Sequence, residues 1–224
     1  MKHCRYISLL LAIMTMLSCK KSEVKNDTGN LAEELKGSAW AGEFKYTVGT
    51  YRELQPFSVV LNNDGTLTWT DFQNTRAAGT WLIDGNKINL HFPNGTTNAA
   101  DVTKEQWSNF SNPEGNGFAI VNISRSSIPT MEVLQQTKWA GNLTNSIPER
   151  KAMHGTVTFD AGRLVTFIYD GVTYEYNYAP EGAGIRILNY GYFILRNNAT
   201  SIQGYKQYAD FSITWNLTGS SQNL

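Results

Sequence analysis

The chain has 224 residues, with 19 Lys plus Arg against 19 Asp plus Glu, 12% aromatic residues and 17% charged ones. That length admits one large β domain or two small ones, and the charge balance gives no electrostatic basis for holding a polyphosphate, which excludes nucleic acid as a partner. Strand-favouring Tyr, Trp and Thr separated by Gly-containing turns mark the class as all-β.

In chain order, Lys2 and Arg5 precede an apolar run from Ile7 to Leu17. Its length suits a secretory signal core and is too short for a permanent transmembrane helix. The run ends in Met16-Leu17-Ser18-Cys19, which resembles the lipobox of bacterial lipoproteins. The resemblance implies cleavage before Cys19 and lipidation of that cysteine, with stable attachment to a membrane. Cys4 falls in the removed segment, so Cys19 would be the one cysteine left and would not serve a disulfide. Residues 1–18 are therefore expected to be a signal peptide and 19–30 a flexible tether, polar apart from Val24. The expected location is the cell envelope, at the outer membrane.

Leu35-Lys-Gly-Ser-Ala-Trp40-Ala-Gly42 returns as Leu134-Gln-Gln-Thr-Lys-Trp139-Ala-Gly141, each matching residue 99 positions later. An internal duplication follows, with units at 31–128 and 129–224. In the first, Leu31 and Leu35 at helical spacing, with Asn30 as N-cap, predict a short helical turn. Asn63-Asp64-Gly65, Asp84-Gly85 and Asn94-Gly95 predict tight hairpins. Between them Phe57, Val59 and Leu61, then Leu67 and Trp69, Trp81 and Ile83, and Ile88, Leu90 and Phe92 keep a two-residue period. The segment Thr96 to Glu114, which carries Trp107, lacks that regularity and reads as a long loop.

In the second unit, Asp160-Ala-Gly162 takes the place of the first unit's Asp64-Gly65 turn. Leu164 to Tyr169 is apolar at nearly every position and predicts a strand covered on both faces or set between the two units. Tyr174, Tyr176 and Tyr178 alternate with polar residues, and Phe211, Ile213, Trp215 and Leu217 form a final alternating strand. Each unit has room for about six to eight strands.

Gly37-x-x-Trp40, the Phe57-x-Val59-x-Leu61 strand, the Asp64-Gly65 turn and Gly79-Thr80-Trp81 together resemble the small lipocalin-like domains of bacterial lipoproteins. The resemblance covers most of 31–127 and more weakly 130–221, where Gln136 replaces the glycine before Trp139. It implies two tandem antiparallel barrels, with Trp40 and Trp139 packed across closed ends. Joint pairing of the two units into one barrel or sandwich is the alternative that the residues leave open.

No nucleophile elbow, zinc-protease helix or phosphate loop occurs, and the histidines beyond the signal segment, His91 and His154, are far apart. The expectation is a protein that is not an enzyme, with no catalytic residues, metal or cofactor. Aromatic side chains are the binding candidates: Trp69, Trp81 and Trp107 in the first unit, and Tyr174, Tyr176, Tyr178, Tyr190 and Tyr192 in the second. They could line a pocket or platform for a small apolar ligand or a glycan, or pack as core. The expected function is a lipid-anchored envelope binding or accessory protein. The alternative is an assembly partner that docks on another envelope protein without a small ligand.

Overall fold

The computed structural model describes residues 28–49, 53–111, 117–147, 153–196 and 199–220. The expected signal segment, Cys19 and the expected tether up to residue 27 lie outside the described residues, as does the 112–116 part of the expected loop. Helix α1 (Thr28–Leu35) starts inside the expected tether and places Asn30 within the helix rather than at its cap.

Eight strands follow: β1 (Ala39–Tyr46), β2 (Gln55–Leu61), β3 (Thr66–Thr70), β4 (Thr75–Asp84), β5 (Lys87–His91), β6 (Thr97–Val102), β7 (Gln106–Ser111) and β8 (Phe118–Ser126). Each pairs antiparallel with the next, and β8 returns to pair with β1, closing a barrel. After a one-turn helix α2 (Met131–Leu134) the pattern repeats through β9 (Thr137–Asn145), β10 (Met153–Phe159), β11 (Leu164–Tyr169), β12 (Val172–Glu181), β13 (Gly184–Ile187), β14 (Gly191–Arg196), β15 (Ser201–Gln207) and β16 (Ser212–Ser220). The β16–β9 pairing closes a second eight-stranded barrel. Because the first and last strands of each unit pair with each other, no edge is left for a joint sheet.

Apolar side chains point inward. Trp40, Phe57, Val59, Leu61 and Leu67 are fully buried in the first core, and Val157, Phe159, Phe167, Phe193 and Trp215 in the second. Polar residues alternate outward, as Lys87, Asn89 and His91 do on β5, the reverse of a barrel that faces lipid.

Two expectations are corrected here. The Thr96 to Glu114 region is not a long loop, because it supplies β6 and β7. Its inward residues include Asn98 and Ala100, too small or polar to show as a hydrophobic period, and Trp107 is 4% exposed in the core. Strand β11 is covered on one face only: Val165, Phe167 and Tyr169 are buried, but Ile168 is 46% exposed.

The duplicated motif has one structural job, performed twice. The Trp40 indole N–H donates to Ser38 Oγ at 2.8 Å, which donates to the Leu35 carbonyl at 2.5 Å. In the second barrel Trp139 donates to Thr137 Oγ1 at 3.0 Å, which donates to the Leu134 carbonyl at 2.6 Å. Gly37 has φ +68° and Gln136 takes the same left-handed conformation at +62°. Their backbone N–H groups donate to Leu61 and Phe159 carbonyls at 2.6 and 2.7 Å. Helix end, hydroxyl and indole thus form one bonded corner that plugs the barrel end from which β1 or β9 starts.

The barrels touch through the outer faces of β1 and β2 on one side and β14 and β15 on the other. Ala41 packs with Tyr192 and Ile194. Glu43, 8% exposed, accepts from Arg196 Nη1 at 2.8 Å, from Gln203 Nε2 at 2.5 Å and from Asn122, while Arg196 Nη2 donates to Asn122 Oδ1 at 3.0 Å. Burial pushes the Glu43 carboxyl up, but the hydrogen bonds from Asn122, Gln203 and Arg196 and the charge of Arg196 more than offset this, holding it below the ordinary value of 4.5.

A depressed carboxyl stabilises the folded state above its unfolded value, and that contribution disappears as pH falls through the folded value. The wild type's resistance to urea is therefore expected to fall between pH 5 and pH 3 by more than that of Glu43→Gln, with the gap widest at neutral pH. Parallel pH profiles for the two proteins would contradict the linkage.

Candidate functional site

Each barrel has its plug at one end and a cavity at the other. The first cavity, about 350 Å³, opens between the β3–β4 and β5–β6 turns and is walled by Phe44, Tyr46, Trp69, Ala78, Phe92 and Phe118. Trp69 is the centre of the wall. It stacks on Phe57 at 4.2 Å, meets Phe44 at 5.7 Å and Phe118 at 5.8 Å edge-on, and donates its N–H to Asp71 Oδ2 at 2.9 Å. Edge-to-face packing of this kind fixes ring positions as well as burying area.

Asp71 and Arg76 form the polar lip. Asp71 is 1% exposed; its Oδ1 accepts the backbone N–H groups of Gln73 and Asn74 at 2.9 and 3.2 Å, and its Oδ2 takes Arg76 Nη2 at 3.2 Å. The carboxylate shapes the β3–β4 turn, while Arg76, with its side chain 45% exposed, is the cation available at the lip. Tyr46 sits close by, its hydroxyl pushed up by burial and then by the Asp71 charge. On β2, cross-strand from Phe44, Gln55 is fully buried and neither its amide oxygen nor its nitrogen has a partner within the protein. A buried amide without partners costs about 1–3 kcal/mol, which marks the inner face near Phe44 as a place where a further polar group would be favoured.

The second cavity, about 630 Å³, lies at the mouth of the second barrel and is lined by Asn145, Met153, Tyr169, Tyr174, Tyr176 and Tyr208, together with Asp170, Phe211 and the buried Ile213. Four tyrosines and Phe211 stand here, where the first cavity has three phenylalanines, Trp69 and Tyr46.

The sequence-predicted aromatics divide by position along their strands. Trp69 lines the first cavity, and Tyr174 and Tyr176 line the second. Tyr190 lies beneath the second mouth, 4% exposed, its hydroxyl accepting from Trp215 Nε1 at 3.1 Å. The other four line neither mouth. Trp81 is tied to the β2–β3 turn at the plugged end by its N–H to the Asn62 carbonyl at 3.2 Å, and Trp107 packs on Trp40 at 5.3 Å. Tyr178 packs edge-on against Phe159 with its hydroxyl toward the Asp160 carbonyl. Tyr192 points out of its barrel to Ser58 of the other, O to O at 2.7 Å.

Sequence reasoning missed Phe44, Asp71, Phe92 and Phe118 in the first mouth and Asn145, Tyr169, Tyr208 and Phe211 in the second. The signal that could have found them is positional. Once Trp40 and Trp139 mark the plugged ends, aromatics next to the alternate set of hairpins belong to the open ends.

Among the described residues no group of three or more His, Cys, Asp or Glu side chains could hold a metal ion. No family model matches the chain, and no curated protein matches it. Among solved structures, the chain is similar to a protein of unknown function of the DUF3598 family from Nostoc punctiforme, at 13% identity and a TM-score of 0.33, covering 86% of this chain and 98% of that one.

Proposed function

We propose that this is a lipid-anchored binding protein of the cell envelope, held by Cys19 and taking a compact apolar ligand in the mouth of its first barrel. The observation that carries the reading is the cavity of about 350 Å³ walled by five aromatic rings and Ala78. That volume lies at the small end of ligand pockets, which are mostly apolar with a few placed polar groups. Here the polar groups are Asp71 and Arg76 at the lip, so the ligand has an apolar body and a polar end facing solvent. The anchor rests on Ser18-Cys19 after the apolar run.

The test uses N-phenyl-1-naphthylamine, an apolar probe that fluoresces when shielded from water, on a chain beginning at Lys20. Saturable one-to-one binding is expected, with affinity reduced at least tenfold, about 1.4 kcal/mol, in Ala78→Phe, whose ring would fill the cavity. Equal binding by both proteins would refute the site. Labelled palmitate entering the full chain in cells, but not Cys19→Ala, checks the anchor independently.

A further inference from the structure

We infer that the mouth of the second barrel is a separate site for a neutral pyranose ring. The two cavities share a fold position but not a chemistry. The first is walled by three phenylalanines, one tryptophan and one tyrosine, with Asp71 and Arg76 at its lip; the second presents four tyrosines, one phenylalanine, an asparagine and one aspartate. Sugars need flat apolar faces for their C–H surfaces and, around the same ring, donors and acceptors for their hydroxyls. Tyrosine supplies both.

The flat faces come in two pairs. Tyr169 stacks on Tyr174 with centroids 4.9 Å apart and planes 21° apart, and Tyr208 stacks on Phe211 at 4.4 Å and 15°. The first pair belongs to the β11–β12 hairpin, and the second follows β15 into β16. In the ring of strands these hairpins are opposite each other, separated by β13 and β14 on one side and β9 and β10 on the other. The stacked pairs are therefore two walls of one cup.

The hydrogen-bonding groups form a ladder rising out of the core. Trp215 donates to the Tyr190 hydroxyl at 3.1 Å, Tyr190 is within hydrogen-bonding reach of Tyr169, and Tyr169 of Tyr208 at the rim. Asn145 adds a donor of its own. The residue is 7% exposed, its Oδ1 accepts the Ile147 N–H at 2.9 Å, and its Nδ2 has no partner within the protein while lining the cup. A buried amide donor fixed by its other atom and left without an acceptor calls for one from outside. Asp170 is the charged group among the described lining residues and offers a carboxylate to the hydroxyls of a neutral sugar, while Lys206 Nζ stands 5.1 Å over the Tyr208 ring and donates to the Asn189 carbonyl at 3.0 Å. About 630 Å³ exceeds what one ring needs, which leaves the cup open to a ring within a longer glycan.

Saturation-transfer NMR on the full chain in a sugar-free detergent tests this with four probes: the methyl glycosides of glucose, galactose, mannose and N-acetylglucosamine. At least one is expected to give saturable transfer at about 10 mM or below, with Tyr174→Ala and Asn145→Ala each weakening it at least tenfold. Should Asn145→Ala not fold, Tyr174→Phe, which removes one hydroxyl and keeps the ring, is expected to weaken binding at least threefold. No transfer from any of the four to the folded wild type overturns the inference. So does binding that survives in Tyr174→Ala but is lost in Ala78→Phe, because that pattern puts the sugar in the first barrel. Binding of the naphthylamine probe does not depend on either result, so the two sites stand or fall separately.

Discussion

Trp40→Ala is expected to destabilise the first barrel by about 3–5 kcal/mol, the range for truncating a buried tryptophan, read from urea unfolding at neutral pH. Trp40 is fully buried, packs on Trp107 at 5.3 Å, and ends the hydroxyl chain that begins at the Leu35 carbonyl. Its removal leaves a cavity at the plug and an unpaired Ser38 hydroxyl site, and both terms add to the cost. Trp139→Ala should behave alike in the second barrel, since Trp139 is 3% exposed and makes the same bond to Thr137. With a small domain's stability near 5–15 kcal/mol, either loss is a large fraction of the total. A cost below about 1 kcal/mol at both sites would mean that neither residue is a plug.

The second large effect lies two residues further along the same motif. A Cβ added at Gly42 would come within 2.0 Å of the Asn122 carbonyl oxygen and 2.8 Å of Ile123 Cα; at Gly141 it would meet the Asn216 carbonyl at 2.3 Å and Leu217 Cα at 2.9 Å. Both glycines sit in the pairing that closes a barrel, β1 with β8 and β9 with β16. The opposing atoms are backbone, which cannot swing aside as a flexible side chain would. Gly42→Ala is therefore expected to cost about 3 kcal/mol, the upper end for overpacking, and to raise amide hydrogen exchange along the β1–β8 ladder first. Unchanged exchange in that ladder, with a stability change under about 0.5 kcal/mol, would contradict the close approach.

These two results explain why Trp-Ala-Gly recurs while the mouths diverge. The tryptophan plugs, the glycine lets the closing strands meet, and in the first barrel Ala41 between them packs against Tyr192 and Ile194 of the second. The repeat made the two-barrel plan legible because closure and plugging depend on residue types that sequence displays openly. Gln136 in place of glycine did not break the pattern, since the backbone holds it at φ +62° regardless.

The cavities were less legible. Trp69 and Trp81 look alike in a two-residue period, yet one lies toward the mouth and the other at the plug. Alternation says which side of a strand faces inward and nothing about depth along the barrel axis. Tyr192 misled for a related reason. It is fully buried, but on the outer face of its barrel, where burial comes from the neighbouring unit and cannot be read from one strand's pattern. Asn98 and Gln55 are polar side chains on inward faces, and hydrophobic periodicity passes over such residues.

The central claim is that the plugged ends hold the fold and the mouths bind. It is tested most directly by measuring N-phenyl-1-naphthylamine affinity and thermal midpoint together for two variants, Trp40→Phe and Ala78→Phe. The account predicts that Trp40→Phe lowers the midpoint and leaves affinity within twofold of the wild type, while Ala78→Phe lowers affinity at least tenfold and moves the midpoint by only about 2–4 °C. The opposite pairing, with probe binding lost at Trp40 and kept at Ala78, would contradict it.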